Sequence, residues 1–288
     1  MRKYTSIMNL KNKNSKINSS IFSTNYPIVM GILNITQDSF YDGGRYLQEE
    51  KVLYRCKKML DEGASIIDIG AQSSRPGANQ ISSNKELEKL LPIIHLLKES
   101  FRKITISIDT FWSNTAKECI IAGADIINDV SSGEIDKNMF ATIAKLNVPY
   151  IMMHMQGTPK DMQENPSYNN VTKEIKKYFK DKIIRLNKLG FYKMIIDPGF
   201  GFGKTIKHNY QLLNNLNDFK SLQAPILIGV SRKSMIYNLL DTTPQYALNG
   251  TSVTQTIALQ NGANILRTHD VKEAIECIKI TTFAKNNY

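Results

Sequence analysis

Cysteine and histidine are scarce in this chain, three and four residues among 288. Cys56, Cys119 and Cys277 are far apart, odd in number and set in segments of helical pattern. They read as buried thiols of a reducing compartment, which excludes a disulfide framework. The histidines, at 95, 154, 208 and 269, nowhere share metal-binding spacing, which argues against a zinc site. No apolar run approaches the roughly 20 residues that span a bilayer, and Arg2 and Lys3 are not followed by the apolar core of a secretory leader. The expected location is the cytoplasm, with no membrane partner. Acidic residues are absent from positions 1–27, where Arg2, Lys3, Lys11, Lys13 and Lys16 supply five of the net +11 charges. That stretch lacks the aromatic spacing that stacks bases, so the expectation is a flexible basic tail over 1–25 and no nucleic-acid partner. A basic field still favours an anionic small substrate.

What the chain does have is repetition. Eight short apolar runs each end in a polar, chemically capable residue. Ile28–Leu33 ends in Asn34, Ser65–Ile67 in Asp68, Thr105–Ile108 in Asp109, and Asp125–Ile127 in Asn128. Tyr150–Met153 ends in His154, Met194–Ile196 in Asp197, Pro225–Val230 in Ser231-Arg232-Lys233, and Ile265-Leu266 in Arg267-Thr268-His269. Between them lie segments of helical period: 49–62, 84–101, 113–122 (with Ser113 as N-cap), 137–146, 168–189, 206–219, 232–240, 247–262 and 271–284. Strand and helix in alternation imply right-handed βαβ units and a parallel sheet. Eight of them favour an α/β fold of the TIM (β/α)8 barrel type over an open doubly wound sheet, as one domain spanning 26–288. Three helix-to-strand turns repeat a glycine, at Gly63, Gly123 and Gly262, the residue suited to a left-handed helix end. In such a barrel the polar residues at the strand C-termini form one mouth.

The loop Asp197-Pro198-Gly199-Phe200-Gly201-Phe202-Gly203-Lys204 fits neither nucleotide-binding glycine pattern, because Pro stands at 198 and Lys at 204. Its glycines permit tight turns, and Phe200 and Phe202 can offer a ring face to a planar ligand. Asp68, Asp109 and Asp197 need partners at buried strand ends; for Asp109, capping the next helix is the competing role. Several acids and Asn128 in one mouth suit the donor-rich edge of an aminopyrimidine-type heterocycle. Ser231-Arg232-Lys233 and Arg267-Thr268-His269 follow strands seven and eight, where this architecture binds phosphate. His154 reads as a structural histidine, and His95 and His208 as unpartnered. Two polar loops, Thr36–Gly44 and Gln72–Ala78, suit lids over the mouth, the second carrying Arg75.

These residues resemble the bacterial dihydropteroate synthases. The similarity rests on Met30–Thr36 with Asp38-Ser39-Phe40, Ser73-Ser74-Arg75-Pro76-Gly77, Ser107–Thr110, Ile127-Asn128-Asp129 and Met153–Gly157. It continues through the 197–204 loop, Ser231–Ser234 and Arg267–Asp270, all in the family's order. The resemblance implies a TIM barrel that forms a homodimer, uses Mg²⁺ and acts in folate synthesis as a sulfonamide target. It implies joining of 6-hydroxymethyl-7,8-dihydropterin diphosphate to 4-aminobenzoate, with release of pyrophosphate. It assigns the pterin to Asp109, Asn128, Asp197, Lys233, Met153 and Phe202. The diphosphate falls to Asn34, Arg75, Arg267 and His269, with Asn34 also the metal contact. The aminobenzoate falls to Ser74, Arg75, Pro76, Phe40, Ser231 and Lys233, and the catalytic group comprises Asp109, Lys233, Arg75 and Phe40. The chain departs from the family's pattern at Gly70-Ala71-Gln72-Ser73-Ser74, where Gly-Gly-Glu-Ser-Thr is common, and at Gln37, where Pro is. A methyltetrahydrofolate-binding methyltransferase barrel would share the pterin acids but gives no reason for the paired cationic strand ends.

Overall fold

A computed structural model describes residues 26–35, 44–72, 80–158 and 161–287. The tail 1–25, both lid-loop centres, and with them Phe40, Ser74, Arg75 and Pro76, lie outside the described residues.

Eight strands alternate with helices: β1 (Ile28–Asn34), α1 (Gly44–Asp61), β2 (Ile66–Gly70), α2 (Ser83–Ser100), β3 (Ile106–Asp109), α3 (Ser113–Ile121), β4 (Ile126–Asp129) and α4 (Met139–Leu146). They continue as β5 (Tyr150–Met153), α5 (Val171–Lys188), β6 (Met194–Asp197), α6 (Ile206–Asn214), β7 (Leu227–Ile228), α7 (Ser234–Tyr237), α8 (Leu248–Gln260), β8 (Ile265–Thr268) and α9 (Val271–Asn286). All sheet pairings are parallel, in the order β6-β5-β4-β3-β2-β1-β8-β7. A parallel bridge between Ile196 and Ile226 joins the two ends of that order and closes the barrel.

The strands have apolar residues on both faces because both faces are covered. Met30, Ile66, Ile126, Ile151, Ile195, Leu227 and Ile265, from seven strands, form a separate buried cluster that fills the barrel's interior. Val29, Ile67, Ile108, Ile127, Met152 and Leu266 alternate with them and belong to the larger cluster shared with the helices. Each such side chain stabilises the fold by about 1.5–3 kcal/mol on burial. Gly31 is a close-packing position, since a Cβ there would stand 2.7 Å from Met59 Sδ and 3.3 Å from Val271 Cγ2, so the Met59 side chain would have to shift.

The strand runs and turn glycines agree with the sequence reading; Gly63, Gly123 and Gly262 all have φ between 101° and 115°. Three helical expectations need correction. Ser113 is not the cap of α3: Trp112 holds that position, and the Ser113 N–H donates to Asp136 Oδ2 at 2.8 Å. The 206–219 helix ends at Asn214 and resumes as a 3₁₀ helix over Leu216–Leu222. The 232–240 helix shrinks to Ser234–Tyr237, because Arg232 sits at φ 53° and Lys233 is extended, so the helical path cannot start sooner. All three cysteines are free and buried, as expected.

Candidate active site

Strand register assembles the mouth. Asn34 pairs with Gly70, Gly70 with Asp109 and Asp109 with Asn128, so one row crosses four strands at one height. Two residues below Gly70 on the same face, Asp68 is fully buried mid-strand. Period-two alternation turns all of them inward, above the apolar plug.

Arg267 reaches in from β8 and bridges two carboxylates: Nε donates to Asp68 Oδ2 at 2.7 Å and Nη2 to Asp109 Oδ2 at 2.9 Å. Asn128 Nδ2 donates to the same Asp68 oxygen at 3.1 Å. Asp68 therefore orients both Arg267 and Asn128, and its second oxygen has no protein partner. Burial pushes the Asp109 carboxyl up to about 7, reinforced by Asp68, Glu86 and Asp129 and opposed by Arg267. Asp109 does not cap α3, which disposes of its competing role. Asp197 accepts the Gly199 N–H at 2.8 Å, and burial raises its pKa against the pull of Lys233.

The β6–α6 loop builds one wall. Lys233 Nζ donates to Phe200 O at 2.5 Å and stands 4.4 Å from the Phe202 ring centroid. Burial lowers this ammonium to about 8, with Asp197 and Asp109 resisting and Arg267 assisting. Phe202 and Met153 belong to an apolar patch with Phe111 and Val130 beside the mouth. Phe200, by contrast, is fully buried in the helix–barrel core and offers no face to a ligand. Gly199 is fixed by space: at φ 72° its added Cβ would stand 1.9 Å from His154 O.

Beneath the loop lies a residue that sequence reading missed. Lys204 is buried, and its ammonium donates to Gly199 O and Phe202 O, both at 2.9 Å, and meets His154 Nδ1 at 3.1 Å. Burial and Lys204 together lower His154 to about 2. Packed edge-on against Tyr178 at 4.9 Å, His154 is structural, as expected. His208 is not unpartnered: with Thr205 it forms the capping box of α6.

On the other wall Ser231 Oγ accepts the His269 N–H and meets His269 Nδ1, both at 3.2 Å. Burial, Arg267, Arg55 and Arg232 lower His269 to about 4 against Asp270, so at neutral pH its ring is uncharged. Arg232 is not available to a ligand: it pairs with both Asp270 oxygens at 2.8 and 2.9 Å and donates to Pro244 O and Gln245 O. Arg267 also differs from expectation, since its engaged nitrogens face the acids and leave only its remaining N–H groups for an anion. At the neck of the second loop Gln72 Oε1 accepts the Ile81 N–H at 2.8 Å.

No three His, Cys, Asp or Glu among the described residues gather as a metal cage. Asn34 is exposed at the rim, and its Oδ1 lies 3.5 Å from where a Cβ on Gly70 would stand. One neutral amide oxygen fits Mg²⁺, which keeps several waters and takes the rest of its shell from substrate phosphates.

The comparisons with known proteins point to one family. The pterin binding enzyme family model matches residues 30–269, so fold and site together define a pterin-binding barrel enzyme. The dihydropteroate synthase of Escherichia coli K12 is 41% identical over 267 residues, 91% of this chain and 94% of that one. Among solved structures, the Yersinia pestis dihydropteroate synthase in a sulfonamide drug complex superposes with a TM-score of 0.85 at 40% identity, covering 91% of this chain and 95% of that one. The Xanthomonas albilineans enzyme with 4-aminobenzoic acid gives 0.84 at 34%, covering 91% and 94%. The chain belongs to the dihydropteroate synthases, transferases of folate synthesis.

Proposed function

We propose that this chain condenses 6-hydroxymethyl-7,8-dihydropterin diphosphate with 4-aminobenzoate, giving 7,8-dihydropteroate and pyrophosphate. The observation that carries the reading is the inward row Asn34, Asp109 and Asn128 above Asp68, bridged by Arg267 and faced by Lys233. Carboxylates and one amide match the amino and ring N–H groups of a pterin. Asp109, Asn128, Asp197 and Lys233 take the heterocycle, with Met153 and Phe202 against its ring. His269, the remaining N–H groups of Arg267 and the lid residue Arg75 take the diphosphate. Ser231, Lys233 and the lid residues Phe40, Ser74, Arg75 and Pro76 surround the aminobenzoate.

The step we favour is dissociative. The methylene–oxygen bond breaks and the diphosphate leaves with the electron pair, its charge taken up by fixed donors. Cationic character then grows on the pterin methylene, which the Asp109 carboxylate stabilises across a site shielded from water. The arylamine nitrogen forms the new bond and gives up a proton. No side chain acts as nucleophile. Asn34 Oδ1 would hold a Mg²⁺ ion, which when bound would supply charge neutralisation to the leaving diphosphate. Trapping a covalent pterin–enzyme adduct would count against this route. The activity itself is tested by pyrophosphate release that requires both substrates; folded protein silent in that assay refutes the reading.

We also propose a homodimer. Val253 on α8 and Ile280 and Phe283 on the adjacent α9 are 52%, 69% and 72% exposed, an apolar face on which a second copy would sit. Sedimentation should show a dimer that Ile280→Glu with Phe283→Glu converts to monomer; an unchanged mass defeats this face. No helix among the described residues is long and apolar enough to cross a membrane, and the three free buried thiols suit the reducing cytoplasm.

A further inference from the structure

Glu86 is a charged side chain where the fold asks for an apolar one. It sits in the first turn of α2, is fully buried, and its Oε1 has no hydrogen-bond partner. Oε2 accepts a 2.6 Å hydrogen bond from Thr110 Oγ1, on the residue directly after Asp109. The same hydroxyl accepts the Trp112 N–H at 3.1 Å, tying down the turn that leaves β3. An apolar side chain of like volume would pack α2 on this corner without desolvating a carboxylate. The helix N-terminus returns less than a buried carboxyl with one bare oxygen loses. Packing does not explain the residue; its neighbour Asp109 does.

We infer that Glu86 is a positioning residue for Asp109: through Thr110 it fixes the turn behind Asp109 and, by like charge, couples its own ionisation to that of Asp109. Burial pushes Glu86 up to about 7 against the hydroxyls of Thr110 and Thr115 and the charge of Lys89. Asp109 reaches about the same value, with Glu86 among the charges that raise it. The other titratable and charged groups facing the pair are Asp68 on β2, Asp129 on β4, Lys233 before α7, Arg267 on β8 and Cys119 on α3, the last pushed up to about 12. Two carboxyls of similar proton affinity on opposite sides of one strand end titrate as a pair. A ligand that favours the Asp109 carboxylate then raises the proton affinity of Glu86, so the pair buffers the charge at the mouth. This inference rests on the role proposed above for Asp109.

Carbon-13 NMR of the carboxyl groups tests it directly, with the Asp109 signal assigned by its loss in Asp109→Asn. In the wild type both signals should titrate in two steps, each reporting the other's ionisation; two independent single curves overturn the coupling, and this measurement needs no variant of Glu86. In Glu86→Gln, which keeps volume and an acceptor for Thr110, the Asp109 midpoint should fall by about one pH unit, and the acid limb of kcat/KM should move the same way. Glu86→Asp, which keeps the charge but shortens its reach, should leave the midpoint near the wild-type value while lowering kcat. An unmoved Asp109 midpoint in folded Glu86→Gln overturns the inference. A moved midpoint with an unmoved activity profile upholds the coupling and defeats instead the role of Asp109 in turnover.

Discussion

Replacing Lys204 by methionine should loosen the wall of the site from beneath. Methionine fills nearly the same volume but donates nothing, so Phe202 O and His154 Nδ1 lose their partner, while Gly199 O keeps only the Phe202 N–H at 3.1 Å. A buried acceptor left bare costs about 1–3 kcal/mol. Against that stands the relief of no longer burying an ammonium, whose pKa burial drives well down, and Phe202 is open enough for its carbonyl to take water. The balance is a loss of about 2–4 kcal/mol, or a melting temperature lower by roughly 5–15 °C at about 2–4 °C per kcal/mol. Function should fall further than folding. Phe200 O, the seat of the Lys233 ammonium, and the Phe202 ring both hang on this loop, so kcat/KM should drop at least about tenfold even below the melting range. Thermal unfolding by circular dichroism and steady-state pyrophosphate release read the two effects. A melting point within about 1 °C of wild type with unchanged kcat/KM would falsify the view of Lys204 as the loop's anchor.

Three further outcomes follow from the same geometry. Lys233→Ala should abolish turnover while leaving the urea midpoint near wild type; retained activity shows that Lys233 is not in the machinery. Gly199→Ala, whose Cβ would meet His154 O at 1.9 Å, should cost more than about 3 kcal/mol, whereas Gly190→Ala, at φ 73° with nothing within 4 Å, should cost only about 1–2 kcal/mol; equal losses in the two variants refute the clash. His154, lowered to about 2 when folded, takes up a proton on unfolding between there and its ordinary value, so its contribution is present above about pH 6.5 and is lost as pH falls. His154→Asn should lessen the acid-side decline in unfolding free energy by up to about 1.4 kcal/mol per pH unit. Urea titrations at pH 5, 6 and 7 that give parallel losses in both proteins exclude this assignment.

The architecture was legible because both its signals are local. Alternating apolar runs and helical periods mark strands and helices, and polar strand ends mark which end of the barrel works. Asp109, Asn128, Asp197 and Lys233 were legible for the same reason. Asp68 was not, since a charged residue inside a run reads as the run's end, and only register shows it beneath Arg267 and Asn128. Lys204 reads as a solvated lysine before a helix until the loop folds over it. Glu86 hides similarly, as a first-turn acid on an amphipathic helix. Phe200 and Phe202 look equivalent in the chain, but Gly201 between them, at φ 80°, turns one ring into the core and the other to the mouth. Arg232 resembled a phosphate fork; its positive φ swings it away to Asp270.

The isoleucine-rich plug beneath the acids has a kinetic consequence. Met30, Ile66, Ile126, Ile151, Ile195, Leu227 and Ile265 close the floor of the barrel, so among the described residues the shaft opens only at the strand C-termini. Ligands in such a shaft behave as a stack, in which the deepest enters first and leaves last. On the function proposed above, a pterin seated on the lowest polar row would precede the arylamine, and turnover would not restart until the joined product had been drawn out past the same rim. Any compound wedged at that rim therefore obstructs arrival and departure alike.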